Sequence, residues 1–314
     1  MKQIGKIVLG KLCLAGMLFL QHALLLAQAP QEAPGPILFE PGLISTAQVE
    51  TSSSFSKDGK ELYFARSTGK WGQGKSSSFI YRSVKQHGSW SPPELASFSG
   101  THDDGAPHLS QDGNKLYFIS SRPSDTDETS ADIWVVQREA GGNWGTPHRL
   151  PPPINSPFTE YSPRTDALGN LYFASTRPGG YGQGDLYMAK SMTGGFEPPV
   201  NLGATFNSEL GEWNLGINGP GDILIFEASQ RAENKSSYGD LYISFKVNGQ
   251  WTSALNLKEL NTTGSNLYPY LTQGNDLLYY TSSATLESTD TNIFSVAFKP
   301  LLEQYRKRAI ANKK

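Results

Sequence analysis

Residues 155–203 read NSPFTEYSPRTDALGNLYFASTRPGGYGQGDLYMAKSMTGGFEPPVNLG. A first apolar run leads to a tight turn at Gly169-Asn170. The strand Leu171-Tyr172-Phe173, a glycine-rich loop and the strand Asp185-Leu186-Tyr187 follow. Phe196, Pro198-Pro199 and Asn201-Leu202 complete the unit. Short runs of aromatic and branched residues suit a buried pleated surface, and the Gly-Asn turn supplies the positive φ a tight hairpin needs.

Nearly the same pattern returns on both sides. The strand motif recurs as Leu62-Tyr63-Phe64, Leu116-Tyr117-Phe118, Ile223-Leu224-Ile225-Phe226 and Leu277-Leu278-Tyr279-Tyr280, each behind a turn such as Asp58-Gly59 or Asp112-Gly113. A second series runs Phe79-Ile80-Tyr81, Asp132-Ile133-Trp134, Asp185-Leu186-Tyr187, Asp240-Leu241-Tyr242 and Asn292-Ile293-Phe294. Aromatic anchors at Phe39, Trp90, Trp144, Phe196 and Trp251 are spaced 51, 54, 52 and 55 residues apart. Phe39-Glu40-Pro41 matches Phe196-Glu197-Pro198, so the N-terminus carries the end of a repeat without its beginning. Nothing like an anchor follows Phe294. Four strands per unit and five units predict an all-β fold, a five-bladed β-propeller of four-stranded antiparallel blades. The last blade is closed by the N-terminal strand. The 32 glycines and 20 prolines, with no long helical pattern, agree with many short strands joined by turns.

The expected organisation is a signal peptide over 1–27, a linker over 28–35, the propeller over 36–298 and a basic tail over 299–314. Lys2, Lys6 and Lys11 precede the apolar stretch Leu12 to Leu20, resumed at Ala23 to Leu26. That order predicts a secretory signal and a periplasmic or extracellular protein. The run is short for a membrane span, so no stable insertion is expected after cleavage. Cys13 is the one cysteine, inside this segment, so the mature chain forms no disulfide. In the tail, Leu301, Leu302, Tyr305 and Ile310 fit one helical stripe. The formal charge is −2, and basic residues gather in the leader and the tail, which leaves the body acidic. An acidic body argues against nucleic acid as a partner.

The motifs resemble the WD40-like (PD40) propeller modules of the TolB type. They are Ser110-Gln111-Asp112-Gly113 with Leu116-Tyr117-Phe118, Ser121-Arg122, Asp132-Ile133-Trp134 and Trp144, then Leu171-Tyr172-Phe173, Ser175-Thr176-Arg177, Asp185-Leu186-Tyr187 and Phe196-Glu197-Pro198. The glycine-rich loop before the aspartate is similar to propellers of exported bacterial envelope proteins, often attached to OmpA-like domains. The resemblance covers about Pro36 to Phe298 and implies a fold more than a function. TolB itself has six blades and an extra N-terminal domain, so its own partners do not transfer.

Two sets of side chains recur with the repeat. Arg122, Arg177 and Arg231 end second strands, and Asp132, Asp185 and Asp240 begin third strands. The expected arrangement is a structural ion pair within each blade. An arginine ring holding an anion is the alternative. Asp104, Glu160 and Glu212 begin innermost strands, with Tyr161 and Trp213 directly after two of them. Converging at the channel mouth, these acids form a candidate binding site together with Tyr161 and Trp213. They are also the candidate acids of a glycosidase, which works with a carboxyl pair. Their recurrence equally fits a hydrogen-bonding role at the blade entry.

No metal site and no cofactor is expected. His102-Asp103-Asp104 is too tightly spaced for one ion. The loops Trp71-Gly72-Gln73-Gly74 and Tyr181-Gly182-Gln183-Gly184 lack the phosphate-loop lysine and a following helix, and are expected to form a rim with an exposed aromatic. No G-x-S-x-G or H-E-x-x-H sequence occurs. The sequence therefore predicts a monomeric, non-catalytic propeller that binds a protein or glycan of the envelope. A carbohydrate-active enzyme is the alternative.

Overall fold

The structure, a computed structural model, describes residues 35–74, 76–123 and 130–312. The expected signal peptide and nearly all of the linker lie outside them. Blade I is Val49–Phe55, Glu61–Ser67, Ser78–Gln86 and Glu94–Leu95. Blade II is Asp104–Leu109, Lys115–Ser120, Asp132–Gln137 and His148–Arg149. Blade III is Glu160–Thr165, Leu171–Ser175, Asp185–Ala189 and Val200–Asn201. Blade IV is Glu212–Ile217, Ile223–Ala228, Asp240–Val247 and Leu255–Asn256. Blade V is Asn266–Leu271, Leu277–Ser282, Asn292–Ala297 and the N-terminal Ile37–Leu38. The protein is a five-bladed propeller of four-stranded antiparallel sheets. Ile37 pairs with Ser295 and Leu38 with Phe294, which closes the ring.

Each second strand is buried on both faces, so its apolar run is continuous rather than alternating with polar residues. The pleat shares it between two neighbours. Leu171 and Phe173 pack toward blade II, while Tyr172 packs toward blade IV. Leu62 and Phe64 face blade V, and Tyr63 faces blade II. The hydrophobic core is thus five clusters, one per seam between blades. A blade buries its apolar faces only by stacking, which is why closure matters.

One detail of the repeat alignment is corrected. Phe39 does not take the place of Phe196. Its amide donates to the Ile293 carbonyl, as Leu202 donates to Leu186 and Leu257 to Leu241. Phe39 is therefore the residue after the outer strand. It meets Phe55, Trp90 and Tyr279 edge to face, with centroids 5.8, 5.9 and 5.1 Å away.

Every innermost strand carries a bulge two or three residues after its start. In four of them a non-glycine residue has positive φ: Ser52, Ala106, Ser162 and Tyr268. The bulge adds a residue and frees backbone groups from the ladder. Past the bulge, side chains of the preceding blade take up inner-edge amides that face away from the ladder. Ser54 Oγ accepts from the Leu109 amide at 2.9 Å, and His108 Nε2 accepts from the Thr165 amide at 2.8 Å.

The segment after blade V is a helix, Lys299–Ala311, with proline in its first turn. Leu301, Leu302, Tyr305 and Ala309 are buried against blades IV and V. Ala309, not the expected Ile310, completes the stripe, and Ile310 is 42% exposed. The i, i+4, i+8 spacing from Leu301 through Tyr305 to Ala309 explains the choice. Among the described residues no helix is long and apolar enough to cross a membrane.

Candidate functional site

The arginines do not pair with the third-strand aspartates. Arg122 binds Asp104 through Nη1 at 2.5 Å and Nη2 at 3.1 Å. Arg177 reaches Glu160 at 3.0 Å and Arg231 reaches Glu212 at 2.8 Å. Blade I follows the same plan with Arg66 and Glu50 at 2.8 Å. The reason is direction. Each guanidinium lies over the aromatic that ends its own strand motif, as Arg177 does over Phe173 and Tyr187. From there it points to the start of the innermost strand. Asp132, Asp185 and Asp240 turn the other way, to the outer strand. They accept from Arg149 at 2.6 Å, Asn201 at 3.1 Å and Asn256 at 2.9 Å.

Asp104, Glu160 and Glu212 are accordingly buried in the blade entries. Each also accepts from a serine before the strand: Ser99, Ser156 and Ser208. Burial raises the pKa of all three, and the serines and arginines oppose that shift. Their oxygens are occupied by these partners, so none of the three is a free acid. Glu50 belongs to the same set and escaped the sequence reading. Its signal was the threonine four residues earlier, Thr46, which matches Ser156 before Glu160 and Ser208 before Glu212.

The open space at this end of the channel lies between these blade entries. A cavity of about 460 Å³ is walled by Trp71, Tyr161, Trp213, Tyr238 and Tyr268, with Asn214 and Glu227 among its lining residues. Tyr268 and Trp71 also line an adjoining cavity of about 350 Å³, bordered by Asp103, Asp104 and Ala106. Tyr161 and Trp213 therefore do reach the mouth, while Glu160 and Glu212 stay out of it. The two rings meet edge to face, with centroids 5.7 Å apart. Trp213 Nε1 donates to Ser229 Oγ at 3.0 Å. A side chain at Gly184 or Gly211 would collide with the Trp213 ring, so these glycines form the slot that holds it. Trp71 is not an exposed rim residue. Its Nε1 donates to Ser265 of blade V at 2.9 Å, which folds the blade I loop across the mouth. In the second loop Tyr181 is 51% exposed, as expected.

Glu227 is the unanticipated member. It sits in a second strand opposite Trp213, where the other blades place Ala65, Ile119, Ala174 and Thr281. Its carboxylate accepts from Asn214 Nδ2. Burial raises its pKa to about 8, so the acid is protonated at neutral pH, and Asn214 opposes that shift. Gly239 leaves room for it, since a Cβ there would strike the carboxyl. A carboxyl directly after the apolar run Ile223-Leu224-Ile225-Phe226, inside the same strand, was the available sequence signal. The arrangement offers aromatic walls with one neutral acid and one amide between them. Such a set suits an uncharged polar ligand with apolar faces. Among the described residues no group of three metal-capable side chains converges.

No protein-family model matches the chain, and none of the curated proteins matches it. Solved structures do resemble it. The α-L-arabinofuranosidase from Lactobacillus brevis is 13% identical, with a TM-score of 0.51 over 80% of this chain and 91% of that one. BT0996, solved as a complex with RGII, is 10% identical, with a TM-score of 0.52 over 84% and 91%. TolB from Acinetobacter baumannii is 14% identical, with a TM-score of 0.48 over 81% of this chain. The chain spans 55% of that TolB. At these identities the likeness is one of fold, and the proteins that share it carry different names.

Proposed function

We propose that the protein is an exported, monomeric, non-catalytic propeller built from TolB-type modules, which binds a glycan of the bacterial envelope at the channel mouth. The observation that carries this reading is the pocket in which Tyr161, Trp213, Trp71 and Tyr238 surround the Glu227–Asn214 pair. Aromatic faces take up the C–H faces of a sugar ring. A neutral carboxyl and an amide supply donors and acceptors for hydroxyls without a net charge to desolvate. The basic-then-apolar leader supports export.

Hydrolysis is less well supported. Glycoside cleavage uses two carboxyl groups on either side of the bond. Among the residues lining this pocket Glu227 is the one acid, and the three acids that recur at blade entries are held by arginines.

Calorimetric titration of the purified protein against neutral envelope oligosaccharides tests the binding reading. Trp213→Ala should weaken binding by tenfold or more, the order of the 1.4 kcal/mol that one lost stacking contact represents. Failure of every glycan to bind the wild type, or unchanged affinity in the folded variant, sinks the proposal. Release of reducing sugar by the wild type and not by Glu227→Gln would overturn its non-catalytic part.

A further inference from the structure

The opposite end of the channel carries a second feature, which the mouth pocket does not explain. The innermost strands begin at the mouth and end there at Phe55, Leu109, Thr165, Ile217 and Leu271. Between these ends lies a cavity of about 40 Å³, lined by Lys57, His108, Gln111, Thr165, Tyr270 and Gln273 among others. That is several times the roughly 10–15 Å³ that one water requires. The lining contains no aspartate and no glutamate.

One lining side chain, His108, is a buried donor without an acceptor, and a second such donor, Arg164, lies behind the lining next to Thr165. His108 is 6% exposed, and its Nε2 accepts from the Thr165 amide at 2.8 Å. Nε2 also lies 2.9 Å from Thr165 Oγ1, but the amide can only donate to it, so Nε2 carries no proton and the neutral ring is protonated on Nδ1. That N–H has no partner in the structure. Burial and the nearby Arg164 both hold the His108 pKa well below the ordinary value, which keeps the ring neutral. Arg164, next to Thr165 in the adjacent blade, is 1% exposed. Its Nη1 donates to the Pro163 carbonyl at 2.8 Å and reaches the Ala106 carbonyl at 3.5 Å. Its Nε and Nη2 have no partner, and no carboxylate pairs with it among the described residues. A buried guanidinium lacking a counter-charge is costly, and such a charge is normally paired.

We propose that this inner end of the channel is a binding site for a small inorganic anion of halide size, held by the His108 Nδ1–H and compensating Arg164, with Lys57 and the glutamines at its outer edge. The anion supplies the acceptor and the negative charge that the lining lacks. The site is independent of glycan binding at the mouth. Its role is to hold the innermost strands of blades II and III together.

Crystals of the full propeller grown in sodium bromide test this, with anomalous data collected at the bromine edge. An anomalous peak within hydrogen-bonding distance of His108 Nδ1 or Arg164 is the expected result. A water without anomalous signal there, or an adventitious ion only, at surface positions, overturns the proposal. Thermal unfolding in bromide against gluconate at equal ionic strength tests the part of Arg164. Bromide should raise the midpoint of the wild type by a few degrees, as a ligand of the folded state does. Arg164→Met should lose that increment, and an equal increment in the variant refutes the assignment to Arg164. The wild-type anomalous map stands even if the variant does not fold.

Discussion

Replacing Glu227 with glutamine should remove a pH dependence of stability that the wild-type protein carries. In the unfolded chain this carboxyl ionises at its ordinary value of 4.5, and in the folded protein burial moves it to about 8. Between those values the folded state keeps a proton that the unfolded state has lost. The stability is therefore complete below the unfolded pKa, falls as pH rises through the window, and levels off above the folded pKa. Each pKa unit corresponds to about 1.36 kcal/mol, so a rigid site would lose roughly 4 kcal/mol between about pH 5 and about pH 8. Rearrangement around the newly charged carboxylate reduces this, and a loss of roughly 2–3 kcal/mol is expected. Asp104, Glu160 and Glu212 are shifted the same way, but they are present in both proteins and cancel in the difference. Glutamine has the same shape and can still accept from Asn214. The assay is urea unfolding of both proteins at the two pH values. The variant should lose less stability on going to the higher pH by about that amount. Parallel losses in the two proteins would refute a buried, proton-holding Glu227.

Two further outcomes follow from the packing. Arg177→Met leaves Glu160 buried without its partner, which should cost about 3–5 kcal/mol in chemical unfolding, whereas the double change with Glu160→Gln should recover much of that loss. Phe39→Ala removes a ring from the seam between blades V and I and should cost about 3–5 kcal/mol. A loss under about 1 kcal/mol would mean that the closure at Ile37–Leu38 contributes little to holding the ring.

Much of the fold was legible because each blade repeats a local pattern. Leu171-Tyr172-Phe173 behind Gly169-Asn170 specifies a strand and its turn from its own residues, and the spacing of its copies counts the blades. The candidate site was legible only in part. Tyr161 and Trp213 were placed at the mouth by their position after the blade-entry acids. The acids themselves were left between two readings, because a repeating carboxylate looks the same in sequence whether it faces a channel or a guanidinium; the blade-entry role is the one the structure shows. Glu227 was missed because the strand motif around it is so regular that one deviating residue does not change its reading as a strand.

The sequence alone determined the repeat, the antiparallel blades and the closing strand at the N-terminus, since turn chemistry and the two-residue strand period act between neighbours in the chain. The tertiary structure decided which charge meets which. Arg122, Arg177 and Arg231 could reach either acid of their blade by sequence distance. The choice depends on the aromatic surface each guanidinium lies across. The convergence of Trp71, Tyr161, Trp213 and Glu227 likewise needed the ring, because four side chains from three blades share a pocket only once the blades have closed on one another. Arg164 shows the same limit from the other side. Nothing beside it in the chain says that its guanidinium is buried with Nε and Nη2 unpartnered, because burial and the absence of a counter-charge are properties of the space between blades.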